Sequence, residues 1–329
     1  MAPPKSPSAA ALPKIVKLLI GAGGIYCAFL YYGTLQEDVF HYKSLSDGSK
    51  FKQAWFLQAL EAFANVVVGG IGMIVVGGTK NLPLNILAFS GTTQVCAKAF
   101  TSLALANSVS FPVVTLAKSG KMVPVMIGSL LLGGAKYTLR EYASVVAIII
   151  GTCIVSIGNK KASGPSSTIL GLAFIIASLV CDGITGGLQN RFKSKCASDG
   201  VKVKPYDLMY WTNLFMAIVA LLIAFGFGEL TTGVDFCMKN PIILQKILRF
   251  SLCSAVGQSF IFYTISEFDS LTCTTVTTTR KVFSVLLSIF LNGHSMSTEG
   301  WFGLGLASCG ILSELLDKSG GGHEKAKGK

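Results

Sequence analysis

TCTTVTTTRKVFSVLL, residues 272–287, sets the adjacent cations Arg280 and Lys281 between a hydroxyl-rich half and an apolar half. A window of this composition belongs inside a bilayer, where each cation costs roughly 2.5–3.5 kcal/mol on insertion scales and must be neutralised by something. A second stretch, AKSGKMVPVM at 117–126, again buries cations in an apolar run, with Lys118 and Lys121 three residues apart on one helical face. Laying Lys121 over Lys281 brings Val125 onto Val285 and Glu141 close to Glu299, so the chain reads as containing its own half twice.

The whole chain fits that reading. Of 329 residues, 51% are hydrophobic and 13% charged, and the mean hydropathy is +0.60, well outside the range of water-soluble domains. The fold expected is all-α and polytopic, with ten transmembrane helices near 15–35, 55–78, 82–106, 110–132, 139–158, 167–190, 207–228, 246–266, 270–291 and 299–316. Five spans per half re-enter the membrane the other way up, which makes residues 14–160 and 161–317 inverted repeats with a site at the midplane between them. Residues 1–13 read as a disordered tail and 318–329 as a basic one.

The net charge of +12 would point to nucleic acid in a soluble protein, but loops on the cytosolic side of a membrane also collect Lys and Arg. The bias favours both termini in the cytosol and no cleavable leader, although Lys160 and Lys161 weigh against it. Nine cysteines occur singly, without Cys-x-x-Cys pairs, so no metal, cofactor or disulfide framework is expected. Residues Gly120 and Lys121 imitate the end of a phosphate-binding loop, yet Thr115 and Met122 stand where it requires Gly and Ser or Thr. His41, His294 and His323 lie in loops or tail, and neither a catalytic triad nor a paired deep carboxylate site for Mg²⁺ is visible. No enzyme is expected; a membrane-integral transferase using nucleotide-linked donors is the reading of another class.

Within the spans, five cations (Lys98, Lys118, Lys121, Arg280, Lys281) face two carboxylates, Glu61 and Asp182, an excess of three. Lys98 is expected to pair with Glu61 or to snorkel. The other four point to a compact, multiply charged anion: Arg280 suits bidentate phosphate and the lysines serve as point charges. Polar and aromatic residues at span positions, among them Tyr26, Tyr31, Tyr32, Asn65, Gln189, Gln258 and Tyr263, with hydroxyls at Thr275, Thr278 and Thr279, are candidates for a base or sugar.

The segments YYGTLQE (31–37), FPVVTLAKSGKMVPVM (111–126), DGITG (182–186), SAVGQSFIFYTI (254–265), LTCTTVTTTRKVFSVLLS (271–288) and GHSMSTEGW (293–301) together resemble the endoplasmic-reticulum UDP-galactose/UDP-glucose transporters of the nucleotide-sugar transporter family, solute carrier family 35 subfamily B. The resemblance implies the drug/metabolite-transporter fold, alternating access and exchange of a cytosolic nucleotide sugar for lumenal UMP. One branch is described as an ATP/ADP exchanger. It also implies a phosphate centre of Lys118, Lys121, Arg280 and Lys281, with Glu37, Asp182 and Gln258 in family-matched segments. Lys325 and Lys327, five and three residues from the end, resemble the K-x-K-x-x signal read by the COPI coat.

Overall fold

The computed structural model describes residues 13–44, 48–107, 114, 118, 120–134, 136–158, 169–268, 272–277, 279, 280, 298 and parts of 301–313; the side chains of 37, 41, 152, 153 and 155–158 are outside this set. The named helices are α1 (Lys14–His41), α2 (Ala54–Val76), α3 (Leu84–Ala106), α4 (Met122–Leu131), α5 (Leu139–Gly158), α6 (Ile169–Ser198), α7 (Pro205–Gly226), α8 (Glu229–Lys239) and α9 (Pro241–Glu267). Helical turns continue at 272–277, 279–280 and within 301–310. Among the described residues no strand forms, only one isolated bridge between Lys43 and Lys50.

Among the described residues four helices, α1, α2, α6 and α7, are long and apolar enough to cross a bilayer. The 23 residues of α2 extend about 34 Å, against roughly 30 Å of hydrocarbon. The outward residues of the bundle are those a water-soluble protein would bury: Phe63 of α2, Ile176 of α6, Leu222 of α7 and Leu252 of α9 are all exposed. Apolar outside and polar inside is the pattern of a protein solvated by lipid, and the chain is a polytopic membrane protein.

Residues 110–113, 281–291 and 314–316 of the expected fourth, ninth and tenth spans lie outside the described residues; among those described, three departures from the expected spans stand out. Helix α6 runs on to Ser198 because its last turns are polar and project beyond the apolar layer; Gly200, at φ 68°, ends it as the Val201 amide bonds back to the Cys196 carbonyl. Helix α8 has no counterpart among the ten spans, being 11 residues with a mixed surface. Its first residue, Glu229, receives the Trp55 amide at 2.7 Å and the Phe56 amide at 3.3 Å, which caps α2 from another part of the chain. Burial raises the Glu229 carboxyl pKa while those two bonds pull it down. Third, Gly120 and Lys121 form a turn between the helical Lys118 and α4, where one continuous helix was expected.

Packing follows definite pairs: α1 with α9, α3 with α6, α2 with α7, α3 with α7, α2 with α9, and α4 with α6. Glycines set the closest approaches. A Cβ on Gly128 of α4 would stand 1.9 Å from the Gly183 carbonyl oxygen, and one on Gly187 2.2 Å from that of Gly128; the Gly183-x-x-x-Gly187 spacing presents both glycines to α4.

The two ends of the bundle are closed differently. At the end carrying residues 193–208 and 262–276, one buried cluster joins Leu87 of α3 and Phe192 and Cys196 of α6 to Ile25 of α1, Phe262 and Ile265 of α9, and Val276. Lys193 reinforces it by donating to the carbonyls of Ile265 and Phe268. At the opposite end the apolar residues fall into separate clusters. One unites α1, α2, α8 and α9 around Phe51 and Phe250, another holds Ala104, Val114 and Ile175, and the partly buried Leu105 touches both.

Gly128→Ala should destabilise the fold by about 1–3 kcal/mol, the usual cost of overpacking, seen as a lower melting temperature in detergent. Gly23→Ala, where nothing lies within 4 Å, should leave melting unchanged.

Candidate binding site

A belt of polar side chains crosses the bundle at mid-depth. Its centre is Glu61 of α2, 1% exposed. One carboxylate oxygen, Oε1, accepts from Lys98 Nζ of α3 at 2.6 Å, from Ser254 Oγ of α9 at 2.5 Å and from Tyr32 Oη of α1 at 3.2 Å. Four helices thus converge on one anion. The ion pair foreseen from the sequence is present; Tyr32, expected toward a base or sugar, donates to the carboxylate, and Ser254 completes the set.

From Tyr32 the belt continues to the 272–280 segment. The Tyr32 ring meets Phe29 edge-on, centroids 5.2 Å apart. Arg280 lies 5.9 Å from the centroid of the same Phe29 ring and donates Nη1 to the Phe29 carbonyl. Tyr26, one turn earlier, donates to Thr279 Oγ1 at 2.5 Å. Threonine hydroxyls at 277 and 279 bond to carbonyls three residues back, the local use that competes with ligand binding.

Toward α6 the belt runs through hydroxyls. Thr101 shares a 2.8 Å bond with Ser178, and Thr93 a 2.7 Å bond with Thr185. Asp182 lies between Ser178 and Thr185 at helical spacing, and its Oδ2 is 2.5 Å from Lys118 Nζ. Lys121, half-buried at the N-cap of α4, has no ion pair among the described residues. That helix has no acidic residue in its first turn, so the lysine charge adds to the positive end of the helix dipole, a place suited to an anion.

The candidates from the sequence are distributed as follows. Lys118, Lys121 and Asp182 come together around the start of α4, and Arg280 stands on α1. Gln258, 3% exposed, lies one turn from Ser254 on the face of α9 that meets Glu61. Gln189 is half-buried on α6. Tyr31 is 58% exposed, and Tyr263 is half-buried near the Lys17–Glu267 pair. Thr278, Lys281 and the Glu37 side chain, like Lys325 and Lys327, lie outside the described residues.

Charged groups at this depth, on faces turned inward, mark a substrate path more often than a structural brace. Among the described residues no cluster of three His, Cys, Asp or Glu is placed to hold a metal.

Residues 17–318 match the profile of the UAA transporter family. The chain is 32% identical to "Solute carrier family 35 member B1" of Dictyostelium discoideum, over 89% of this chain and 75% of that one. It is also 32% identical to "UDP-galactose/UDP-glucose transporter 3" of Arabidopsis thaliana, over 93% and 94%. "Adenosine 3'-phospho 5'-phosphosulfate transporter 1" of Homo sapiens is 28% identical over 99% of this chain and 75% of that one.

Glu61→Gln leaves the Lys98 ammonium without its counter-charge and should destabilise the protein by about 3–5 kcal/mol, whereas pairing it with Lys98→Met should restore most of the loss. A double-mutant cycle of thermal unfolding in detergent measures both.

Proposed function

The chain belongs to the UAA transporter family, and from that membership we propose that it exchanges UDP-galactose or UDP-glucose for UMP across the endoplasmic-reticulum membrane by alternating access. The observation that carries this reading is a symmetry in the helix contacts. Match α1, α2, α3, α4 and α5 with α6, α7, α9, the 272–280 segment and the 301–313 segment, respectively. The pair α3 with α6 then becomes α9 with α1, α3 with α7 becomes α9 with α2, and α2 with α7 maps onto itself; all are packed pairs. The contact of Lys118 with Asp182 of α6 becomes the contact of Arg280 with Phe29 of α1. Even the last pair fits, since Arg140 of α5 bonds Ser313 and a Cβ on Gly310 would press on Ile148. Two cation-bearing segments related in this way support a single anion site shared by two inverted halves, the arrangement of many secondary carriers.

Chemistry narrows the cargo to a phosphorylated one. Lys118 is held by Asp182 in this state, and Lys121 and Arg280 supply positive charge on opposite sides of the belt. Two like charges drawn to about 5 Å in a medium of effective dielectric 20 repel by on the order of 3 kcal/mol. A phosphate dianion between them removes that penalty, so the loaded carrier reorients more readily than the empty one and transport runs as exchange. The relative named for UDP-galactose and UDP-glucose supports a uridine nucleotide sugar. The relative named for an adenosine phosphosulfate favours a second reading, an adenine nucleotide such as ATP or ADP.

With the N-terminus in the cytosol, the sealed end faces the cytosol and the loosely joined end faces the lumen. The seal lies between α3 and α6 on one side and α1, α9 and 272–276 on the other, which are the parts that separate in a rocking motion. Cys196 and Cys273 are buried in that seal and report on its opening.

In proteoliposomes, UDP-galactose uptake should depend on internal UMP, and equal uptake into empty vesicles would sink the exchange reading. Lys121→Ala and Arg280→Ala should each lose at least about tenfold in nucleotide affinity while still reaching the membrane. Lys193→Ala should speed maleimide labelling of Cys196, read by peptide mass spectrometry, as the seal loosens; unchanged labelling would place the moving joint elsewhere.

A further inference from the structure

The same belt contains buried polar atoms that no described residue satisfies. Glu61 Oε2, the second oxygen of the carboxylate whose first oxygen takes three donors, is buried without a partner. Gln58 Oε1 on α2, Gln94 Oε1 on α3, and Ser251 Oγ and Gln258 Oε1 on α9 share that condition. Gln58, Glu61 and Gln258 are 1%, 1% and 3% exposed. These positions are not scattered. Gln94 is one turn from Lys98 and Gln258 one turn from Ser254, the two side chains that bond Glu61 from α3 and α9. Gln58 is one turn from Glu61 itself and reaches α3 through Ser102. These residues of three helices therefore flank the carboxylate, Gln58 and Ser251 about a turn toward the Phe51 end and Gln94 and Gln258 about a turn toward the sealed end.

Unsatisfied polar groups in a buried site are costly and call for an occupant, all the more where the surroundings are a bilayer core. The occupant must both donate and accept, because amides and serine hydroxyls do both, and it must offer donors to Glu61, which only accepts. Hydroxyl groups on adjacent carbons meet these terms. A flat heterocycle does not fit as well, because the nearest aromatic face is already taken: the Tyr32 ring stacks on Phe250 with centroids 4.5 Å apart and meets Phe29 at its edge. The phosphate candidate Arg280 lies 5.9 Å from the centroid of that same Phe29 ring, so a ligand held there by a phosphate has Tyr32 and Glu61 within reach of its next group.

We infer that the seam of Glu61, Gln58, Gln94, Ser251 and Gln258 is the subsite for the hydroxyl-rich glycosyl part of the cargo, with the Glu61 carboxylate accepting from the sugar. This rests on the nucleotide-sugar reading above and adds to it which residues tell a nucleotide sugar from the nucleotide alone.

The test uses Gln258→Leu and Gln94→Leu in the purified full-length protein. Neither amide oxygen has a partner in the unloaded protein, so both variants should melt at the wild-type temperature or above it without ligand. Affinity for UDP-glucose should fall about 3–10-fold, the effect of losing a neutral hydrogen bond, with UMP affinity within about twofold of wild type. Equal losses for UDP-glucose and UMP would assign the seam to the nucleotide and overturn the inference. Unchanged affinity for both, with or without a change in melting, would mean that the seam holds water or serves the fold, and would overturn it as well. A wild-type protein that binds adenine nucleotides but no UDP-sugar refutes the transport reading first, before any variant is compared, and removes the occupant named here with it.

Discussion

An ionised carboxylate in the middle of a bilayer has to be surrounded by donors, and that requirement organises this molecule. Glu61 collects Lys98, Tyr32 and Ser254, one from each of three helices that neighbour α2. A hydrogen bond is directional, so each of these contacts sets the rotation of its helix as well as its distance. Apolar packing alone would leave those rotations weakly determined, since the lipid around the protein is as apolar as its leucines. Removing one member would strand the others in the least tolerant environment available.

Close approach of the helices is the second requirement, and small residues meet it. Gly128 against Gly183 lets α4 lie tightly on α6, and Gly24 and Gly257 admit the rings of Phe260 and Phe29 between α1 and α9. Without these gaps the short reach from Lys118 to Asp182, or from Arg280 to the Phe29 carbonyl, would not close. The glycine clusters and the charged belt are thus parts of one arrangement: the first sets how near the backbones come, the second what meets across them.

Much of this is readable in the sequence because charge in an apolar run is conspicuous. Lys118, Lys121 and Arg280 stand out for that reason, and Glu61 pairs with Lys98 because carboxylates at that depth are few. What escapes is whatever depends on helix rotation. Nothing in the order of residues says that Asp182 should take Lys118, or that a backbone carbonyl at Phe29 should receive Arg280. Gln94 and Ser251 are mildly polar residues in apolar windows and carry no distinctive signal until their helices are seen to bond Glu61. Helix α8 escapes for another reason: eleven residues of mixed polarity match no span, and its role, capping α2 through Glu229, is a contact between distant parts of the chain.

The distribution of strong and weak contacts along the membrane normal also bears on how such a protein moves. At mid-depth, α2 is tied to α1, α3 and α9 through Glu61 and to α7 through the Asn65–Asn213 bond of 3.0 Å, all in surroundings where a broken bond finds no water to replace it. At the sealed end, Lys193 holds carbonyls near the C-terminus of α9, which can exchange that ammonium for water at small net cost, beside the apolar cluster of Leu87, Phe192, Phe262 and Ile265. A body joined this way yields at its ends before it yields at its waist. In the exchange cycle proposed above, rocking about α2 and α7, the pair that maps onto itself when the proposed halves are exchanged, would keep the costly bonds intact and open only the replaceable ones, so the charge that fixes the fold and the charge proposed to hold the cargo could share one depth without either undoing the other.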